Sequence, residues 1–350
     1  MPCKSYIRRD TRNFMPADNI LLQVDQVSFN LPGHFELAPV SFSLTGNEKL
    51  VIAGETGSGK STLLKLIAGL LQPAAGSISF AHKRVEGPLE KLIPGHPGIA
   101  YLSQHYELRN NYIVYDLLDY GSEMSQAEAE QLFRVCEIDH LLQRKTNSGL
   151  SGGERQRIAL AKLLATKPRL LLLDEPFSNL DSIHKSHIKQ VLYNIGQAYP
   201  VSMILVSHDP QDMLSWADKI MVMRNGGVLQ QASPEDIYLK PVNSYVAGLF
   251  GPFNTVSASW LVANGYPGFS EKLAKTFMLR EEHIFIGDNH KQLMATPTRC
   301  VFTGPAYRVT LEAGGGTFTC LHHQPVPAGI PVAISIDTDK LWPLQEDASD

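Results

Sequence analysis

The chain has 350 residues, 43% hydrophobic and 19% charged, with 35 acidic against 31 basic side chains. That length suits about two domains, and the composition can bury sizeable cores, which excludes a disordered chain. The formal net charge of -4 excludes a globally basic protein that grips nucleic acid by bulk charge, though not a local basic patch, and no nucleic-acid partner is expected.

Residues 1–18 are polar and aperiodic and read as a loose leader. The basic residues of MPCKSYIRRDTRNF are followed by no apolar core, so no secretory signal is read there. Met15, just ahead of the first patterned segment, reads as an alternative start that an intact mass would test. No apolar run reaches the roughly 18 residues of a membrane span, and the nearest, Leu63 to Leu71, is broken by Lys65. Cys3, Cys136, Cys300 and Cys320 lack CxxC or zinc spacing and read as reduced thiols. Cys300 and Cys320 are candidates for neighbours in a small sheet, with no bond required.

From Ile20 to about Phe250 the chain alternates β-like and helix-like segments. Residues 49–54 form a buried-type strand ending in a glycine-rich turn, and a helix follows from Lys60 with Leu63, Leu64, Ile67 and Leu70 on its apolar side. Residues 169–176, 203–208 and 219–223 are further apolar strands, of the kind found in a parallel sheet covered by helices. Arg224 to Gly227 reads as a hairpin turn into 228–232. Ser233-Pro234-Glu235-Asp236 carries an N-cap, a first-turn proline and an acid three residues after the cap, so a short helix starts there and ends before Pro241. After about Gly251 short strands are expected at 277–286, 299–303, 307–312, 317–321 and 332–337, with Gly314-Gly315-Gly316 joining a hairpin. The expected architecture is an α/β domain followed by a small all-β barrel.

The segment Gly54-Glu55-Thr56-Gly57-Ser58-Gly59-Lys60-Ser61-Thr62 fits G-x-x-x-x-G-K-[ST], between a strand and a helix. Its glycines let successive backbone N–H groups turn inward around phosphate oxygens, at the positive end of the following helix. Lys60 is then a point charge for the β- and γ-phosphates, and Ser61 a hydroxyl ligand for Mg2+. Asp174, at the tip of the 169–176 strand, is placed to hold Mg2+ through its hydration shell, with Glu175 to polarise an attacking water.

The segment Leu150 to Asp181 resembles the signature-to-D-loop segment of ATP-binding-cassette (ABC) ATPases, in the order signature, arginine-bearing helix, strand, DEP and NLD. The resemblance implies a P-loop ABC ATPase domain, a mixed sheet plus helical subdomain, over 19–250, with the helical subdomain at about 103–165. A barrel of regulatory or dimer-stabilising kind would follow over 251–350. It further implies that Gln104 senses Mg2+ and the attacking water and that His208 is the switch histidine at the γ-phosphate. Residues 178–181, ending at Asp181, would be a D-loop across a dimer interface. Ser151, Gly152, Gly153 and Glu154 open a helix that, in the family, completes the site of a second, head-to-tail subunit. With one P-loop and one signature, the chain is expected to pair with a second copy or a similar subunit around two ATPs. Leu31 stands where an adenine-stacking tyrosine is common, leaving Phe29 or Phe35 as substitutes.

Residues 207–254 resemble the ATPase subunits of bacterial importers for sugars, polyamines, ferric iron and sulfate, whose appended oligonucleotide-binding-like barrel matches the C-terminal strands. Residues 278–284 resemble that barrel's RPEDI-type strand, with Glu281 in place of proline. The resemblance implies an ATPase subunit on the cytoplasmic face of the membrane, beneath two permease subunits and served by a solute-binding protein. An exporter subunit and a soluble, non-transport ABC ATPase are the alternatives. In the 105–116 stretch, Leu108, Val114 and Asp116 match the family's permease-docking pattern, whereas Arg109, Asn110, Asn111 and Tyr112 depart from it. These four read as a polar docking surface or a solvated loop. His283, His290, His322 and His323 read as surface histidines rather than a metal site.

Overall fold

The computed structural model describes residues 19–346 except 34, 105–107, 123, 148, 179, 267, 270–274 and 288–292, and only the backbone of 210–212. The leader with Met15 and Cys3, the start of the docking stretch at 105–107, Asn179 and His290 lie outside the described residues.

In chain order the elements are β1 (Ile20–Leu31), β2 (Phe35–Thr45), β3 (Lys49–Ala53), α1 (Lys60–Ile67), β4 (Ala75–Phe80), β5 (Lys83–Arg84), β6 (Ile99–Leu102), α2 (Val114–Asp119), α3 (Gln126–Val135), α4 (Gly152–Leu164), β7 (Leu170–Asp174), α5 (Ser182–Ala198) and β8 (Ser202–Val206). Then come α6 (Pro210–Trp216), β9 (Lys219–Arg224), β10 (Gly227–Ala232), α7 (Pro234–Leu239), α8 (Ser244–Leu249), β11 (Phe253–Ser257), α9 (Ala258–Ala263), β12 (Thr276–Arg280), β13 (Ile284–Ile286), β14 (Leu293–Phe302), β15 (Tyr307–Ala313), β16 (Gly316–His322), β17 (Val332–Ile336) and β18 (Trp342–Pro343). The chain divides into two compact units, 1–48 with 61–204 and 49–60 with 205–350.

In the first unit, β2-β1-β4-β5 form an antiparallel sheet. Leu22 and Val24 are buried while Asp25 faces solvent. A bulge at Gln26, whose φ is +47°, shifts the register between Val24 and Val27. Strands β6 and β7 pair in parallel, and every residue of β7 is buried, as an apolar run enclosed on both faces requires. Helices α3, α4 and α5 start at side-chain caps. Ser125 with Glu128 and Ser151 with Glu154 form capping boxes, and Asp181 accepts from the N–H groups of Ile183 and His184. Lys167 pairs with Glu128, and its hydrogen bond together with the Ser125 cap lowers the Glu128 carboxyl to about 2.

In the second unit β3 runs parallel to β9, and β9 turns into β10 through Asn225-Gly226, both at positive φ. Ser233 caps α7 with Pro234 in its first turn, as the sequence predicts. Strands β11, β12 and β18 make a small sheet, while β13-β17-β14-β15-β16 form a nearly closed antiparallel barrel around Phe277, Leu279, Val309, Leu311, Phe318 and Ile334. Gly314 and Gly315 make the two-residue turn between β15 and β16. Cys300 and Cys320 face Val309 from its two sides as free thiols.

The expected strand bounds shift by one or two residues in most cases and by more in two of them. The expected 277–286 strand is two strands in different sheets. A turn at Glu281–His283 separates them, because Arg280 and Glu281 are both drawn inside. The 299–303 strand begins earlier, at Leu293, because Pro297 is accommodated beside a register shift instead of ending the strand.

Arg280 is 1% exposed. Its guanidinium lies 4.0 Å from the Tyr238 ring centroid and donates to the carbonyls of Tyr238, Ala247, Gly251 and Pro252. It ties α7, α8 and the Gly251-Pro252 link that follows α8 to β12. Arg280→Met should therefore lower unfolding stability by about 3 kcal/mol, because it leaves several buried carbonyls unsatisfied. Lysine should recover only part of this, since it cannot present the planar fork. Urea denaturation of the three proteins measures both.

Candidate active site

The strand β3 delivers the chain into a turn that only glycine can begin. Gly54 has φ of +146°, and a Cβ there would lie 2.2 Å from the Met223 carbonyl oxygen. Gly57 and Gly59 also lie at positive φ, Thr56 and Ser58 complete the turn, and Thr62 lies in the first turn of α1. Lys60, the first residue of α1, is buried and folds back over the loop. Its Nζ donates to the carbonyls of Gly54 at 2.9 Å and Glu55 at 2.6 Å, with Ser58 Oγ at 3.4 Å. The loop is thus shaped around its own cation.

A residue the sequence reading passed over supports this loop. The Tyr245 hydroxyl, from α8, accepts the Glu55 N–H at 3.0 Å and donates to the Met223 carbonyl at 3.4 Å. The Arg224 guanidinium stacks 4.7 Å from the Tyr245 ring centroid and lies 3.6 Å from Glu55. Burial raises the Tyr245 phenol pKa, so it stays protonated.

Ser61 follows Lys60 and belongs to the other unit. Its Oγ donates to Asp174 Oδ1 at 2.8 Å, which leaves the oxygen's lone pairs free for a cation. Asp174 is 4% exposed at the end of β7, and its second oxygen accepts the Tyr101 hydroxyl at 2.8 Å. Burial, then the bond to Asp174, raises the Tyr101 pKa. The next residue, Glu175, has a left-handed backbone with φ of +47°, and its Oε2 accepts from Gln104 Nε2 at 3.2 Å. The Ser178 N–H and hydroxyl both donate to the Glu175 carbonyl, closing the turn after the strand. A left-handed backbone at a residue with a side chain persists only where its surroundings hold it. Ser61, Asp174, Gln104 and Glu175 are therefore brought together as the sequence pattern expects. A hydroxyl donating to a buried carboxylate, beside a second carboxylate, is a donor set that suits hydrated Mg2+.

Ser151 opens α4 and accepts the Glu154 N–H at 3.2 Å, while Glu154 accepts the Ser151 N–H at 2.7 Å. That backbone bond lowers the Glu154 pKa. Gly152 and Gly153 pack beside the start of α5: a Cβ on Gly153 would meet the His184 ring at 3.3 Å, and one on Gly152 the Leu180 side chain at 3.9 Å. Asp181 caps α5 and accepts from His184 Nδ1 at 2.7 Å. His208 is exposed just beyond β8, and Leu31 is 49% exposed at the end of β1 with Phe29 and Phe35 half-buried nearby in the same sheet. Arg109, Asn110, Asn111 and Tyr112 are exposed ahead of the buried Val114. Among the described residues no group of three His, Cys, Asp or Glu side chains gathers as a metal cluster.

Residues 37–178 match the family model described as ABC transporter. The spermidine/putrescine import ATP-binding protein PotA of Clostridium acetobutylicum is 28% identical over 95% of this chain and 98% of its own length. The sulfate/thiosulfate import ATP-binding protein CysA of Mesostigma viride is 32% identical over 75% of this chain and 76% of its own. The chain belongs to the ABC transporter ATP-binding proteins. A solved structure of cbiO1 from Clostridium perfringens, part of the ABC transporter complex cbiONQ, superposes with a TM-score of 0.56 at 25% identity, covering 63% of this chain and 90% of that one. This ABC subunit is accordingly an ATPase, built as a P-loop ABC domain with a mixed sheet and helical subdomain plus a small barrel. No described helix is long and apolar enough to cross a membrane.

Tyr245 is the part of this ABC ATPase's loop support that can be removed with one atom. Tyr245→Phe should weaken ATP binding about three- to tenfold, the worth of its hydrogen bond to the Glu55 N–H, with little change in melting temperature. Equilibrium titration with a fluorescent ATP analogue checks it.

Proposed function

We propose that this chain is the ATP-hydrolysing subunit of an importer, working as a dimer under two permease subunits on the cytoplasmic face of the membrane. The observation that carries the reading is the joined pair of contacts at the end of β7, Ser61 to Asp174 and Gln104 to Glu175. Lys60 and the backbone N–H groups of residues 54–62 would hold the phosphates. Ser61 and Asp174, with Gln104 beside them, would hold Mg2+, which neutralises charge on the β- and γ-phosphate oxygens when bound. Glu175 would take the proton of the attacking water, with Gln104 orienting that water and His208 contacting the γ-phosphate. Hydrolysis would remove the γ-phosphate contact that holds two copies closed.

The signature residues Ser151, Gly152, Gly153 and Glu154 and the D-loop Asp181 would face the partner copy's nucleotide, since one chain carries a single P-loop and a single signature. Leu31 would pack on adenine less tightly than an aromatic ring, with Phe29 or Phe35 as the stacking alternatives. The exposed 109–112 stretch would dock the permease through polar contacts. Import, as opposed to export, is supported by relatives named as import ATP-binding proteins over nearly the whole chain. Those relatives are named for a polycation and for an oxyanion, so selectivity is assigned to the permease and a solute-binding protein.

Glu175→Gln should cut steady-state hydrolysis at least about 100-fold while leaving MgATP-driven dimerisation intact. Undiminished turnover would remove Glu175 as the base. Recovered from native membranes with MgATP in mild detergent, that variant should bring down a multi-span permease with a solute-binding protein. Recovery of only ribosomal or DNA-repair proteins would overturn the transport role.

A further inference from the structure

Asp174 is a buried carboxylate whose two oxygens are claimed by different elements: Oδ1 by Ser61 on α1 and Oδ2 by Tyr101 on β6. Ser61 belongs to the nucleotide motif, but Tyr101 does not. It lies three residues ahead of Gln104 in a strand whose other members, Ile99, Ala100 and Leu102, are buried and apolar. A phenol in such a strand needs a polar partner, and this one has the metal-site carboxylate.

We propose that Tyr101 is a positioning residue for Mg2+: by holding Asp174 Oδ2 it fixes the carboxylate rotamer that keeps Oδ1 on Ser61. The inference deepens the proposed function and rests on its assignment of Asp174 and Ser61 to the metal. A carboxylate with one oxygen tethered loses its freedom to swing about its side-chain torsion before a hydrated cation arrives. Outer-shell donors of this type orient a metal's ligands and set its affinity without touching it. Tyr101 thus acts on the metal through Asp174, and its ring also fills the strand position beside Leu172, its register partner on β7.

The test is nucleotide binding without turnover. The affinity of the full-length protein for a fluorescent ADP analogue is measured in EDTA and in Mg2+, and the ratio of the two dissociation constants reports metal binding at the site. In Tyr101→Phe the ratio should fall on the order of tenfold, while affinity in EDTA changes by less than about twofold. Tyr101→Leu is the second variant should the first fold poorly, and should give the same fall. Introduced into Asp174→Asn, Tyr101→Phe should have no further effect, because its route to the metal is gone.

An unchanged ratio in Tyr101→Phe would overturn the proposal. So would an equal loss in EDTA and in Mg2+, which would mean a packing role, or an undiminished effect in the Asp174→Asn background. If the parent protein itself binds the analogue equally in EDTA and Mg2+, the metal assignment of the proposed function falls, and this inference with it. A Mg2+-dependent parent beside a normal Tyr101→Phe removes Tyr101 alone.

Discussion

A carboxylate at the closed end of a buried strand must be paired, hydrogen-bonded or protonated, because desolvating an unpartnered charge costs several kcal/mol. Asp174 meets that requirement with two hydroxyl donors, Ser61 and Tyr101, and the arrangement organises its unit. It sets where α1 must begin relative to β7, since Ser61 has to reach the strand tip. It sets β6 beside β7, since the phenol has to arrive from the neighbouring strand. Both donors are neutral, so the carboxylate's charge is oriented but not cancelled, and it remains available to a cation. A lysine in place of either would have satisfied the burial and closed the site.

Glu175 has the opposite problem, that of being held without being buried. The backbone pays for its position by adopting φ of +47°, which a residue with a side chain avoids unless its surroundings impose it. Ser178 imposes it from one side through two bonds to the Glu175 carbonyl, and Gln104 holds the carboxylate from the other. Asp174 and Glu175 are neighbours in sequence with different environments: the first sits in a regular, wholly buried strand, the second in a strained turn. That difference gives the two carboxylates different holds, hydroxyl donors for Asp174 and a tight turn with the Gln104 amide for Glu175.

The nucleotide motif, the buried strands and the cap of α7 were legible because each is defined by residues close in sequence. A glycine-lysine-serine spacing, a run of leucines ending in acids and a Ser-Pro start all declare their local geometry. Family resemblance extended this to Gln104 and the signature turn. Tyr101, Tyr245 and Arg280 were not legible, because each acts across a sequence gap of tens to hundreds of residues: Tyr101 on Asp174, Tyr245 on Glu55, Arg280 on four carbonyls. Tyr101 did carry a signal, a polar group inside an apolar run, which must find a partner when buried. The misread strand at 277–286 has the same origin. The alternation is continuous in the sequence, but Arg280 and Glu281 are both buried in succession, and Glu281 pairs with Arg308 on β15.

Within the second unit these long-range contacts form a continuous path. Arg280, on the strand that enters the C-terminal sheet, grips the carbonyl of Ala247 in α8 and that of Tyr238 in α7. Tyr245, also in α8, holds the N–H of Glu55 at the mouth of the phosphate loop. The loop is therefore anchored at one edge to a helix that a buried arginine fixes to the C-terminal sheet. A six-residue helix such as α8 has little stability of its own, so its position depends on these tertiary bonds. Two hydrogen-bonding side chains thus link the C-terminal strands, through α8, to the backbone of Glu55 in the glycine-rich loop.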